Sequence, residues 1–225
     1  MSSIRKIQSF VRRSGRLTPS QQKGLTHLWA DYALEDRNII NFTDVFANDN
    51  DVVLEIGFGN GDTLVQMAEK NPQLNYVGIE VYEAGIGRLI NNTHNKQLKN
   101  LKVIKGDAVE ILKNNIADNS LSKVQLFFPD PWHKKKHHKR RIVQHNFLNL
   151  LAKKLKNNAK FHLATDWQDY AEHMMITLEE NKNFKNTQSP HKYIPRPNYR
   201  PLSKFEKRGQ KLGHGTWDLI FYKLD

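Results

Sequence analysis

The segment from Asp51 to Asp62, with the sequence DVVLEIGFGNGD, constrains the fold more than any other part of the chain. Apolar residues fill four of the five positions from Val52 to Ile56, which is typical of a strand buried on both faces. Three glycines follow at alternate positions, namely Gly57, Gly59 and Gly61. Asp62 then opens a helical pattern, TLVQMAEK, with its side chain as the expected cap. This order predicts an α/β sheet whose turn brings backbone N–H groups close to a ligand.

The glycine turn does not match the dinucleotide-binding pattern. The spacing G-x-G-x-x-G would require glycine at the position that Asp62 occupies. A carboxylate beside the turn repels a pyrophosphate and attracts a cation. Glu55 adds a second carboxylate one residue before the strand ends, where an unpaired charge would be costly. Unless the glycines mark an ordinary tight turn, the segment favours a nucleoside with a positive centre, such as the sulfonium of S-adenosylmethionine.

Two further predicted strands also lead into acidic residues. The second strand, residues 76–80, ends at Glu80, where nucleotide-binding folds place the carboxylate that holds ribose hydroxyls; a helix cap is the alternative. The third strand, residues 101–104, leads to Asp107, which could cap the next helix, accept a hydrogen bond from an adenine amine, or do both. Because the carboxyl ends of parallel strands lie at one edge of a sheet, these three acidic residues are expected to line one ligand site. Glu55 would contact the sulfonium or methionine end, Glu80 the ribose, and Asp107 the adenine.

The fourth predicted strand, residues 124–128, is followed by PDPW and a dense basic run. The flanking prolines fix Asp130 at the end of the strand, either in a rigid turn or as a catalytic or substrate-holding carboxylate. Six of the eight residues from Lys134 to Arg141 are Lys or Arg, which indicates phosphate binding rather than only a solvated surface. The three histidines at positions 133, 137 and 138 could suggest a metal, but no second cluster of ligands supports one.

The composition limits the class of protein. The net charge of +12 favours a polyanionic partner, and residues 1–30 contain no acidic residue. We expect residues 1–16 to form a mobile basic arm and residues 17–225 a single domain. The sequence has no apolar run long enough for a membrane span, and without cysteine it has neither disulfides nor a cysteine nucleophile. A cytoplasmic location is the expectation.

The motifs EIGFGNG, GIE, KGDA and FFPDPWHKK…KRR, in this order, resemble those of the bacterial tRNA (guanine-N7)-methyltransferases, the TrmB family. The likeness continues through ATDW at residues 164–167 and SKFEKRG at residues 203–209, and it covers nearly the whole chain. PDPW followed by lysines is its most specific part. Ser203 stands where the family usually has threonine, and the hydroxyl is retained.

The resemblance implies an α/β, Rossmann-like class I methyltransferase fold, with a seven-stranded, mostly parallel sheet and helices on both faces. It implies that S-adenosylmethionine is bound by the glycine turn and by Glu55, Glu80, Asp107 and Asp130, with Asp130 also catalytic. The implied substrate contacts are Lys134, Asp166, Ser203, Lys204, Phe205 and Glu206, and the implied RNA contacts are Lys136, His137, His138, Lys139, Arg140 and Arg141. The implied substrate is a guanine in the variable loop of tRNA, with no metal and no obligatory protein partner for a monomer or homodimer.

The patterns beyond residue 142 complete this sheet. They predict helices over residues 143–155 and 167–180, and strands over residues 159–164, 184–189 and 216–223. The proline-rich segment 191–211 is predicted to be a basic loop over the ligand-binding edge.

The chemistry of guanine N7 can be reasoned out independently of the family. N7 is an unprotonated lone pair at neutral pH, so its methylation needs no general base, and orientation should supply much of the rate. Asp130 or Asp166 could stabilise the positive charge that develops on the purine, or accept hydrogen bonds from N1–H and N2–H. Two other classes remain open. A nicotinamide dehydrogenase would explain the glycine turn but not Asp62 or the charge, and a non-catalytic RNA-binding module would leave the strand-end acids without a role.

Overall fold

The computed structural model describes residues 8–10, 15–35, 38–213 and 215–225, apart from the side chains at positions 204, 205 and 210. The strands are β1 (Val52–Ile56), β2 (Asn75–Glu80), β3 (Leu101–Lys105), β4 (Leu121–Phe127), β5 (Leu155–Thr165), β6 (Phe184–Asn186) and β7 (Trp217–Lys223). The helices are α1 (Pro19–Thr26), α2 (Trp29–Tyr32), α3 (Phe42–Phe46), α4 (Asp62–Lys70), α5 (Glu83–Asn95), α6 (Ala108–Asn114), α7 (His145–Lys154), α8 (Gln168–Glu179) and α9 (Lys204–Lys211). A 3-10 helix spans Lys135–Arg140.

The seven strands form one sheet in the order β3-β2-β1-β4-β5-β7-β6. The pairs β3–β2, β2–β1, β1–β4 and β4–β5 are parallel, whereas β7 runs antiparallel to both β5 and β6. The prediction of a seven-stranded, mostly parallel sheet is therefore confirmed. The order reverses between β1 and β4, and in such sheets the crevice at the carboxyl ends of these two strands is where ligands bind.

Helices cover both faces of the sheet, and β1 contributes to the core on each side. Leu54 and Ile56 pack into the cluster that also contains Phe161 and Met174. Val53 points to the opposite face and joins the cluster formed by Leu64 and Leu89, among others. Burial on both faces explains why β1 reads as an almost continuous apolar run.

The N-terminal helices lie over the β3 edge of the sheet. A capping box formed by Thr18 and Gln21 starts α1, and this helix packs on α5. The approach is close, since a Cβ atom on Gly24 would lie 2.3 Å from the carbonyl oxygen of Gly87. Ala33 then forms a bridge with Val103 in β3.

Two local predictions differ from the structure. Gly61, and not Asp62, occupies the cap position of α4, and among the described residues no side-chain hydrogen bond caps that helix. The segment predicted as one basic loop contains α9, which begins where the side chains of Ser203 and Glu206 satisfy each other's backbone N–H groups. Most of the expected basic arm, residues 1–16, lies outside the described residues. Within the described part of the chain, no helix is both long enough and apolar enough to cross a bilayer.

Candidate active site

A cleft of about 880 Å³ opens at the carboxyl ends of β1, β2 and β4. Its walls include the glycine turn, the end of β2, part of α5, the residues that follow β3, the segment after β4, and the loop before α9. The residues that carry chemistry in this lining are Glu55, Gly57, Gly59, Gly61, Asp62, Glu80, Arg88, Asp130, Arg200 and Ser203. The cleft therefore lies at the reversal of strand order, where the sequence predicted a ligand site.

Glu80 ties the end of β2 to the glycine turn. Its Oε2 accepts a hydrogen bond from the N–H of Gly59 at 2.8 Å, and its Oε1 accepts one from the N–H of Val81 at 2.7 Å. Gly59 has a φ of +57°, in the left-handed region that favours glycine, which turns its N–H toward this carboxylate. Its Oε1 also accepts a hydrogen bond from the N–H of Tyr82 at 3.1 Å. Tyr82, and not Glu80, is the cap residue of α5, so Glu80 closes the turn and fixes the backbone that leads into this helix.

Glu55 is buried in the cleft wall, with 3% of its surface exposed. Burial raises the pKa of its carboxyl to about 8, the charge of Glu80 adds to this, and Lys123 opposes it. Its Oε2 has no hydrogen-bond partner among the described residues. The side chain is therefore largely protonated at neutral pH, and a cation placed beside it would favour the ionised form.

Asp130 is held at the mouth of the cleft by a tightly turned segment. Phe128 and Trp132 flank the Pro-Asp-Pro sequence, and both adopt left-handed backbone conformations, with φ of +52° and +49°. The N–H of Phe128 donates to the carbonyl of Ala164 at 2.8 Å, and the carbonyl of Pro131 accepts from Arg141 at 2.9 Å. The aspartate thus sits on anchored backbone, as its flanking prolines predicted.

Asp62 is not a free carboxylate beside the turn. Arg88 of α5 donates to both of its carboxylate oxygens, at 3.0 and 3.1 Å. This pairing largely cancels the charge of Asp62. Glu55 is therefore the carboxyl group beside the glycine turn that favours a cationic ligand. Arg88 also lines the cleft, and its place in the helical pattern of α5 gave no sign of this role.

Asp107 caps α6, its Oδ1 accepting from the N–H of Val109 at 3.0 Å. The capping alternative is therefore confirmed. Its neighbours Gly106 and Ala108 line the cleft, while Asp107 itself is outside the lining found among the described residues. Contact with adenine stays a prediction.

The 3-10 helix presents some of its basic side chains to solvent and uses others internally. Lys134, Lys136 and Lys139 are exposed. The ring of His137 stacks over Trp132, and the guanidinium of Arg140 lies 3.6 Å from the centre of the Trp132 ring. Arg140 also donates to the carbonyl of Gln8 at 3.0 Å.

Arg141 is buried, with only 2% of its surface exposed, and it pairs with Asp169. The structure therefore places Arg141 inside the fold, and the prediction that it contacts RNA is not supported. His138 lies 3.8 Å from the same aspartate. Across the described residues, no group of three or more His, Asp or Glu side chains is arranged to hold a metal ion.

The wall of the cleft before α9 depends on Arg200, which sequence reasoning missed. Arg200 is 1% exposed and donates to both carboxylate oxygens of Glu206 at 2.8 Å and to both of Asp218 at 2.7 Å. Asp218 also contacts His162 at 2.8 Å, and burial lowers the pKa of that histidine to about 4. The only sequence signal was an arginine in a proline-rich segment, because its partners lie on α9 and β7.

The predicted substrate residues are therefore only partly brought together. Ser203 lines the cleft, and Glu206 is buried behind it on Arg200. Lys204 and Phe205 begin α9, but their side chains lie outside the described part of the structure. Asp166 follows β5 and Lys134 precedes the 3-10 helix, and neither belongs to the lining found among the described residues. Contacts between His133 and Trp167, with ring centres 4.1 Å apart, join these two segments.

The fold is the α/β, Rossmann-like fold of the class I methyltransferases. The chain is similar in structure to the 16S rRNA methyltransferase KamB, with a TM-score of 0.62, 15% identity, and coverage of 84% of this chain and 96% of that one. It is also similar to an rRNA methylase from Streptococcus thermophilus, with a TM-score of 0.53, 10% identity, and coverage of 82% and 95%. At these identities the likeness establishes the fold.

The sequence comparisons identify the family. A family model described as "Putative methyltransferase" matches residues 49–219. The tRNA (guanine-N(7)-)-methyltransferase of Shewanella amazonensis is 52% identical over 99% of this chain and 94% of its own length. That of Mannheimia succiniciproducens is 53% identical, over 97% of this chain and 88% of its own length. The chain belongs to the tRNA (guanine-N(7)-)-methyltransferase family, so the resemblance seen in its motifs is confirmed.

Proposed function

We propose that this protein transfers a methyl group from S-adenosylmethionine to N7 of a guanine in the variable loop of tRNA. The observation that carries the proposal is the cleft itself, which joins a glycine turn to the carboxyl groups of Glu55, Glu80 and Asp130. Membership of the tRNA (guanine-N(7)-)-methyltransferase family supports both the donor and the acceptor. The exposed lysines of the segment 134–139 follow Asp130 by a few residues and supply positive charge beside the cleft.

The residues present fit S-adenosylmethionine. Glu55 places an unpartnered carboxyl oxygen in a buried position on the cleft wall, where a sulfonium or ammonium group would find a hydrogen-bond acceptor and a countercharge. Glu80 would hold the ribose hydroxyls, and the glycine turn allows close backbone approach. Bound in this way, S-adenosylmethionine supplies an electrophilic methyl group.

The protein has to orient the guanine and stabilise its charge, with no proton to remove. N7 carries an exposed lone pair, so general-base catalysis before attack is unnecessary. As the methyl group is transferred, positive charge develops on the purine, and the carboxylate of Asp130 is held at the cleft to stabilise it. Leu126 and Phe127 contribute apolar surface to the same cleft, which favours exclusion of water during the transfer.

The wall formed by residues 200–203 would position the guanine base. Arg200 holds Glu206 and Asp218 in fixed orientations, so the loop that carries Ser203 is anchored from behind. A rigid wall at this point would favour one alignment of the base, and alignment is the main source of rate in a displacement of this kind.

Methyl transfer to unmodified tRNA tests the proposal. The protein is incubated with isotopically labelled S-adenosylmethionine and a tRNA transcript, and the RNA is then digested to nucleosides. We expect labelled 7-methylguanosine from the variable loop. A transcript with 7-deazaguanosine at that position serves as the control, because it retains the base shape without N7. Label in any other nucleoside, or equal labelling of the control transcript, would refute the assignment.

A further inference from the structure

One face of the sheet carries a row of basic side chains across four strands. Lys123 of β4 pairs in register with Lys160 of β5, Lys160 with Tyr222 of β7, and Tyr222 with Lys185 of β6. Residues paired in register point to the same face of a sheet. These four residues therefore form one line, called here the lysine row.

The lysine row lies on the face opposite the larger core. Phe161 and Phe221, each adjacent in sequence to a member of the row, point the other way and pack into the core beneath α7 and α8. On the side of the row, α4 and α5 pack over β2 and α5 also over β3. Lys160 and Lys185 are exposed to solvent, and Tyr222 is 36% exposed.

The two exposed charges of the row have no ion-pair partner among the described residues, whereas the buried Lys123 interacts with Glu55. Among the described residues, neither Lys160 nor Lys185 forms an ion pair, and the ammonium of Lys160 lies 5.5 Å from the centre of the Tyr222 ring. Like charges in neighbouring register positions are unfavourable. The pKa of Lys123 reflects this, being lowered to about 7 first by burial and then by the charge of Lys160. Asp218 faces the same side, but Arg200 and His162 already bind it.

The row begins at the wall of the cleft. The ammonium of Lys123 lies 3.5 Å from the centre of the Tyr199 ring, and Tyr199 is 41% exposed. The next residue, Arg200, lines the cleft. A ligand that extends from the cleft over Tyr199 would therefore meet the lysine row.

We propose that the lysine row binds the sugar–phosphate backbone of the tRNA whose guanine occupies the cleft. This inference rests on the proposed function. The two exposed lysines match phosphate, and the exposed rings of Tyr199 and Tyr222 lie beside lysines of the row, as in surfaces that bind nucleic acid by charge and stacking. The row is separate from the basic 3-10 helix, so the tRNA would contact the protein at both surfaces.

The test compares two pairs of lysine substitutions in the full-length chain. Lys160→Ala with Lys185→Ala removes the exposed charges of the row. Lys113→Ala with Lys153→Ala removes two exposed charges from α6 and α7, on the opposite side of the sheet. Binding of unmodified tRNA is measured over a series of salt concentrations. Loss of two phosphate contacts should lower the slope of log affinity against log salt by about 1.4–1.8, and the control pair should leave it unchanged.

A charge-conserving pair of substitutions and methyl transfer by the wild-type protein distinguish failure of the lysine-row inference from failure of the proposed function. Lys160→Arg with Lys185→Arg should keep the wild-type slope, because the charge is retained. Equal slopes for the row pair and the control pair would overturn the inference, even with normal methyl transfer by the wild-type protein. A wild-type protein that neither binds nor methylates tRNA would instead refute the proposed function, and the lysine-row inference with it.

Discussion

Replacing Glu55 with glutamine should make the stability of the protein less dependent on pH. Glutamine has nearly the same shape but cannot ionise, so the comparison isolates the cost of ionising Glu55 inside the cleft wall. Burial raises the pKa of this carboxyl from its ordinary value of 4.5 to about 8. In the unfolded chain the same group ionises near its ordinary pKa.

The sign follows from the protons that each state binds. Between pH 4.5 and about 8, the folded wild-type protein holds a proton on Glu55 that the unfolded chain has released. Raising the pH across this window therefore favours the unfolded chain, by about 1.4 kcal/mol for each pH unit. The free energy of unfolding of Glu55→Gln, minus that of the wild type, should grow by about 4 kcal/mol between pH 5 and pH 9.

Urea unfolding at several pH values between 5 and 9 measures this difference. Glu69→Gln is the matched control, because Glu69 lies on α4 with its side chain 45% exposed and paired with Lys96. Its difference from the wild type should stay nearly constant with pH. A constant difference for Glu55→Gln as well would show that Glu55 ionises normally in the folded protein, and the account of the cleft as a site for a cation would fail.

Four further substitutions test the cleft and the basic segment beside it. Glu80→Ala should weaken binding of S-adenosylmethionine by about 1.5–3 kcal/mol, as measured by calorimetry, since a charge-assisted contact is lost; unchanged affinity in a folded variant would remove Glu80 from the site. Asp130→Asn should slow single-turnover methyl transfer about 10²–10³-fold at saturating cofactor with tRNA affinity little changed, whereas a rate near that of the wild type would make Asp130 structural. Arg141→Ala should lower the free energy of unfolding by about 1–3 kcal/mol with little change in the salt slope of tRNA binding. Lys139→Ala should lower that slope by about one unit and leave stability unchanged, and the reverse pattern for this pair would contradict the burial of Arg141.

The strand ends were predictable because their chemistry is local. Glu55 and Glu80 belong to short apolar, β-branched runs that favour strands, and the carboxyl ends of parallel strands lie at one edge of a sheet. The glycine turn and the two prolines around Asp130 likewise restrict their own backbone. The sequence was therefore sufficient to place the cleft and most of its carboxyl groups.

The sequence could not show in the same way which charged side chains are paired or buried. Arg140 and Arg141 are neighbours in the same basic run, yet Arg140 stacks on Trp132 while Arg141 is buried against Asp169. Asp62 stands beside the glycine turn, but Arg88, which lies 26 residues later, neutralises it. Whether a charged side chain is free depends on partners that are distant in sequence.

The sequence by itself determined the α/β class, the parallel strands, the turn that opens the cleft and the family to which the chain belongs. Each of these follows from residues close together in the chain, whose periodicity and backbone preferences act within one element. Only the tertiary structure placed Arg200 between Glu206 and Asp218 and aligned Lys123, Lys160 and Lys185 across four strands. Those arrangements depend on strand order and register, which long-range packing decides when the sheet closes.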